Sequence, residues 1–422
     1  MSVISDIHGR EVLDSRGYPA LEVDLTLNNT VQVRAAVPSG ASTGSHEALE
    51  LRDHDSCRFK GKGLLKALSH INILSDELKK HSFNNQSELD AFLIKWDGTQ
   101  NKSRVGANTI LAVSLAYAKA RALSGHQELF ESFGTNNYML PVPLINILNG
   151  GVHANNGLSV QEFMIVPYGF DSFKEALRAA SEVFYCLKQL LREQGFNTSV
   201  GDEGGFAPLL TNNESALKLL LQAIEEGGYS SENQIALALD VAASEFYEGG
   251  KYRWEKESIE AADLINIYKH WEEQYPLISI EDGLAEEDWA GWVKLTKELG
   301  KSMQLVGDDL FVTHERRLKK GIDKGVANCL LAKINQVGTL TETHSAIQLA
   351  YEAGYNCCIS HRSGETEDVS IADLAVAWGV KQIKTGSVCR GERVAKYNRC
   401  LRIEEKLKNQ VEFAGKKAFS FL

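Results

Sequence analysis

No stretch of this chain stays apolar long enough to span a bilayer, and its N-terminus, M-S-V-I-S-D-I-H-G-R, carries charges where a secretory signal needs an apolar core. The expected location is therefore the cytoplasm. Cysteine is scarce and unpatterned. The seven are odd in number and only Cys357 and Cys358 are close together, which points away from a disulfide framework or zinc ribbon and towards buried thiols. A basic excess is missing as well. Lys plus Arg number 45 against 56 Asp plus Glu, a net charge of -11, which argues against general affinity for nucleic acid or anionic lipid. A small anion held by a few local cations remains compatible with that charge, because a surface field is screened over short distances. No low-complexity tract or long charge run marks a tail.

What is present suits a globular protein of two domains. The 422 residues exceed one ordinary core, and 43% hydrophobic with 24% charged residues supply ample material to bury. Leu21, Val23, Leu25 and Leu27 alternate with Glu22, Asp24 and Thr26, and after Asn28, Asn29 and Thr30 the alternation resumes at Val31 and Val33, which predicts an antiparallel hairpin. Apolar residues at three-and-four spacing predict helices near 87–96 and 107–123. Strands followed by helices suggest a smaller α+β domain over residues 1–139. The turn-rich stretch around 132–143 then separates it from a second domain over 140–422.

In that second part six apolar runs each end in a residue fit for metal or proton chemistry. They are I-A-L-A-L-Asp240, L-I-S-I-Glu281, Q-L-V-G-Asp308, C-L-L-A-Lys333, N-C-C-I-S-His361 and Q-I-Lys384. From Glu281 onward the spacing matches one strand-helix unit, so the pattern predicts a parallel, TIM-like β/α barrel whose strand tips converge on one mouth. The earliest units are irregular, and the alternation is regular only after about residue 235.

Asp240, Glu281 and Asp308 are hard oxygen donors at successive strand ends, a set that suits magnesium better than zinc. Taken singly, each reads equally well as a solvated loop acid. Lys333 leaves a buried strand for the same mouth, where nearby cations or a dry setting would make it a general base; pairing with the acids is the alternative. Lys384 reads better as an electrostatic partner. Glu162 and Glu203 are acids flanked by apolar or glycine residues; paired carboxylates in a secluded site raise each other's proton affinity, which can keep one available as a general acid, and a plain turn residue is the alternative. His361, Arg362, Ser363 and Gly364 offer a guanidinium, a hydroxyl and open amides for a phosphate or carboxylate. P-S-G-A-S-T-G (38–44) and G-G-V-H-A-N-N-G (150–157) each read as a flexible turn or as a loop able to close over the mouth, where His153 could serve as lid or ligand.

Together, G-R-E-V-L-D-S-R-G, P-S-G-A-S-T-G, Q-E-F-M, G-D-E-G-G, S-I-E-D, G-D-D-L, K-I-N-Q, S-H-R-S-G-E-T-E-D, Q-I-K-T-G and L-R-I-E-E, in this order over essentially the whole chain, resemble the enolases, in the bacterial style. The resemblance implies a glycolytic hydro-lyase that reversibly dehydrates 2-phosphoglycerate to phosphoenolpyruvate with two magnesium ions per site. It implies that Asp240, Glu281 and Asp308 hold the first ion and that Ser42 joins the second. It further implies that Lys333 removes the proton from carbon 2, that Glu203 helps hydroxide leave carbon 3, and that Glu162 supports Glu203. Arg362 and Ser363 would hold the phosphate, Lys384 the substrate carboxylate, and His153, Gln161 and His361 would line the closed site. Members are homodimers or octamers. Tyr18 stands where the family usually has Asn, and Cys389 and Gly391 depart from an otherwise conventional segment. The alternatives are another acid racemase or cycloisomerase of the same superfamily, a Schiff-base aldolase using Lys333, and a non-catalytic scaffold or surface binding protein with this fold.

Overall fold

The computed structural model describes residues 2–41, 43–134, 138–419 and 421. The expected hairpin is present: Pro19–Leu27 pairs antiparallel with Val31–Ala36, and Leu21, Val23, Leu25 and Leu27 are all buried. Asn28 and Asn29 both take positive φ, 53° and 59°, which suits a tight turn whose twist matches that of the flanking strands. Ser2–Leu13, whose charges hide its alternation, pairs antiparallel on the other side of Pro19–Leu27. Arg10 there bonds Glu22 and Asp24 on the neighbouring strand, so the charges face partners across the ladder.

The two expected helices are Gln86–Asp97 and Ala107–Ser124. Asn85 caps the first by accepting the Glu88 amide, and Gly98 at φ 71° ends it. The second is buried nearly all round, as befits a helix sandwiched between elements. One side lies on the hairpin strands and another meets Ile334–Val337 of the barrel half.

Eight strands close the barrel, in chain order Val142–Asn149, Glu162–Pro167, Ile235–Asp240, Leu277–Glu281, Gln304–Gly307, Cys329–Ala332, Asn356–Ser360 and Gln382–Lys384. Their residues are almost all buried, since the interior lies on one face and helices on the other. The expectation that all strands point one way needs correction. The second, Glu162–Pro167, runs antiparallel to both of its neighbours. The segment joining the first two strands is a glycine-containing loop with only the short turn Gly151–His153, too little for the helical crossover that a parallel pair requires. Reversal has a useful result. Glu162, the first residue of its strand, lies opposite Asp240 and so reaches the same mouth as the strand ends of the others.

The P-S-G loop is stitched to the H-R-S-G loop over that mouth, with Ser39 and Gly364 exchanging backbone hydrogen bonds of 2.8 Å in both directions. Close approach explains the glycine. A Cβ on Gly364 would lie 2.7 Å from the Ser39 carbonyl oxygen and 2.5 Å from both Arg16 and Asp14 side-chain atoms.

Candidate active site

Asp240 and Glu281 end adjacent strands in register, and the Lys384 ammonium bridges them. Its Nζ lies 2.8 Å from Asp240 Oδ2, 2.8 Å from Glu281 Oε1 and 3.3 Å from Glu162 Oε2. Asp308, after the next strand, accepts from the Lys333 ammonium at Oδ2 and from Gln336 Nε2 at Oδ1, the latter at 2.9 Å. Asp282 positions it: at φ 42° its carboxylate accepts the amides of Asp308 at 2.9 Å and Asp309 at 2.8 Å. Asp282, Asp308 and Asp309 each offer an oxygen within 4.8 Å of one another.

Burial and the neighbouring Asp240 push the Glu281 carboxyl well above its ordinary range, and burial with Asp309 and Asp308 does the same to Asp282. Asp309 is pushed up to about 8 by burial and Asp308. These groups ask for more positive charge than two lysines supply. Glu281 Oε2 is buried with no hydrogen-bond partner among the described residues. A cluster of buried carboxylate oxygens, one of them unsatisfied, is a donor set that suits a hard divalent cation. Lys333 is paired with Asp308, the alternative that the sequence left open beside the general base. Burial would lower its proton affinity, but Asp308 outweighs burial and holds the ammonium above its ordinary range.

Across the mouth stands the second cluster. Glu203 Oε1 accepts from Ser363 Oγ at 3.1 Å, and Glu203 Oε2 faces Asn146 Nδ2 at 3.3 Å and His361 Nε2 at 3.5 Å. His153 lies between the two acids, Nδ1 3.7 Å from Glu162 Oε1 and Nε2 3.9 Å from Glu203 Oε1. Burial, then Glu203, drives the Glu162 carboxyl well above its ordinary range. Burial would raise Glu203 too, but the surrounding His361, His153, Arg393 and Lys384 hold it well below. The two carboxyls are thus pushed in opposite directions, Glu162 towards its neutral form and Glu203 towards its charged form.

Arg362 is brought to the mouth but is not open to it. Its guanidinium bonds both oxygens of Glu47, at 2.9 and 3.0 Å, and Asn335 Oδ1 at 2.9 Å. Gln161 sits beside Asp240, donating its amide to the Asp240 carbonyl at 3.0 Å, and its buried Oε1 has no partner among the described residues. Ser42 lies outside the described residues.

The residues missed in the sequence are Glu47, Asn146, Asp282, Asp309, Gln336 and Arg393. Asp282, Asp309 and Gln336 follow within three residues of predicted strand tips, which was a signal; Glu47 and Arg393 carried none. Cys389 also matters more than its sequence suggested. Its Sγ packs 3.0 Å from the Gly204 carbonyl, behind Glu203. Gly204, at φ 91°, has no room for a side chain there, since a Cβ would lie 2.9 Å from that sulfur and from Ser387 Cβ. Tyr18 lies away from the chemistry, its ring 3.8 Å beneath Lys62 Nζ.

Comparison with protein families covers both halves. Residues 4–133 match the family described as Enolase, N-terminal domain, and residues 137–421 match that described as Enolase, C-terminal TIM barrel domain.

Proposed function

The chain belongs to the enolase family, and from that premise we propose that it dehydrates 2-phosphoglycerate to phosphoenolpyruvate, reversibly and with two magnesium ions. One observation carries this reading. Lys333 follows the sixth barrel strand and Glu162 begins the second, four strands apart around a ring of eight, so the amine and the Glu162–Glu203 pair occupy opposite walls of one mouth. An acid's carbon-hydrogen bond and a carbon-oxygen bond on the next carbon can be attacked from opposite sides there.

In this reading Lys333, in its neutral form, takes the proton from carbon 2. The electron pair left behind becomes the new carbon-carbon double bond as hydroxide departs from carbon 3, and Glu203 delivers the proton that turns it into water. Glu162, whose proton affinity burial and Glu203 raise, supplies Glu203 with that proton. Asp240, Glu281 and Asp308 would hold a first magnesium ion and Ser42 would join the second, and the ions would supply Lewis-acid stabilisation of negative charge on the substrate carboxylate. Lys384 faces that carboxylate, Arg362 and Ser363 take the phosphate, and His153, Gln161 and His361 close the walls.

Residues 140–422 form the catalytic unit in this proposal, and residues 1–139 cap it. A homodimer or octamer in the cytoplasm accompanies the family reading, and sedimentation velocity measures the assembly. The decisive experiment is turnover of 2-phosphoglycerate, followed by ultraviolet absorbance of the enolpyruvate product, with and without a chelator. Chelator-sensitive product formation supports the assignment; no product at saturating magnesium overturns it.

A further inference from the structure

Arg393 is fully buried, yet it stands in the first turn of the helix Gly391–Leu407, where the helix dipole disfavours a cation. Its carboxylate contact, Glu392 Oε1, lies 3.4 Å from Nε. Both terminal nitrogens are spent elsewhere. One donates to the Arg362 carbonyl at 2.6 Å and lies 2.6 Å from His361 Nδ1. The other donates to the Ser363 carbonyl at 2.6 Å, the Asp202 carbonyl at 3.2 Å and Ser15 Oγ at 3.4 Å. A buried guanidinium in an unfavourable position, binding carbonyls of two separate loops and one imidazole, is expensive unless those loops must be held.

An arginine only donates, so His361 Nδ1 must accept, and the neutral ring must carry its proton on Nε2. Nε2 is the nitrogen that faces Glu203 Oε2, at 3.5 Å. The same guanidinium joins the backbone of Arg362 and Ser363 to that of Asp202, the residue preceding Glu203. We propose that Arg393 is a positioning residue for the dehydration: it sets His361 in the Nε2–H tautomer aimed at Glu203, and it clamps the loop bearing the phosphate-binding side chains to the loop bearing Glu203. The inference rests on the functional reading above. Arg393 touches no substrate atom and acts through His361 and the two loops.

The test uses the full-length protein with its histidines labelled with nitrogen-15, the His361 signals being identified by their loss in His361→Gln. In the parent protein the proton resides on Nε2 of His361. In Arg393→Lys, which keeps a positive charge but not the fork, and in Arg393→Met, the ring shifts towards a tautomer mixture. At saturating magnesium kcat falls about 10²-fold, the scale of a misplaced catalytic group, and guanidinium added to Arg393→Ala restores part of the rate. An Nδ1–H ring in the parent protein overturns the proposal, as does a substituted protein with unchanged tautomer and kcat. If Arg393→Met does not fold, the parent spectrum and Arg393→Lys decide the matter. Parent protein with an Nε2–H ring but no turnover of 2-phosphoglycerate would overturn the functional reading and, with it, the role in dehydration, while leaving the positioning geometry established.

Discussion

Glu47, from the N-terminal half, grips Arg362 of the barrel with both carboxylate oxygens, across a sequence separation of 315 residues. Both side chains are nearly buried. The same Glu47 accepts the Gly44 amide at 3.1 Å, so one carboxylate ties the P-S-G-A-S-T-G loop to the guanidinium assigned to the substrate phosphate. In the proposed reading, an arriving phosphate would compete with Glu47 for the same donors.

Replacing Glu47 with Gln removes the competing charge while keeping the shape. Inorganic phosphate is expected to bind the variant at least about threefold more tightly by calorimetry, from part of the 1.5–3 kcal/mol that a charged hydrogen bond is worth. The variant should also melt lower, because Arg362 loses its buried counter-charge. Weaker phosphate binding would mean that Glu47 supports the anion site.

Lys333 and Glu203 should separate the two bond-breaking events. Lys333→Ala is expected to abolish exchange of the carbon 2 proton with deuterated solvent, together with product formation, by at least about 10³-fold. Glu203→Gln should suppress product formation while leaving exchange measurable by proton magnetic resonance. Equal loss of both in Glu203→Gln would mean that the two residues do not divide the work.

Lys384 is the cation among three carboxylates, so Lys384→Met leaves Asp240, Glu281 and Glu162 facing one another without it. The metal-free variant is expected to lose about 3–5 kcal/mol, the cost of breaking a buried ion pair. Magnesium should then raise its melting temperature more than it raises that of the parent. No such gain would show that these carboxylates do not form a divalent-cation site.

The Glu162 carboxyl makes a prediction about pH. Its folded proton affinity is raised by burial and Glu203, so folding binds a proton that the unfolded chain has released above the ordinary glutamate range. This contribution is complete below that range and is lost as pH climbs through the folded value. Glu162→Gln stays neutral throughout. As pH rises above the ordinary glutamate range, the urea midpoint of the metal-free parent should fall relative to that of the variant. Parallel curves would mean that Glu162 does not take up a proton on folding.

Much of the barrel was legible because a buried strand must be an apolar run, and a polar residue at its end must leave the core at the mouth. Asp240, Glu281, Asp308, Lys333, His361 and Lys384 all sit at such ends. The hairpin was legible for a similar reason, alternation with an Asn-Asn turn. Ser2–Leu13 was not, because the carboxylates that neutralise Arg10 lie on the next strand and a linear reading sees only interrupting charge.

The chain's order of apolar runs and punctuating polar residues determined, by itself, that a barrel forms and which side chains its rim carries, since burial and periodicity act locally. Only the tertiary structure decided that the second strand turns back to deliver Glu162, that Glu47 holds Arg362 and that Arg393 sets His361. Those outcomes depend on distances of about 3 Å between groups far apart in the chain, and hydrogen bonds and ion pairs over that range have no counterpart in local spacing.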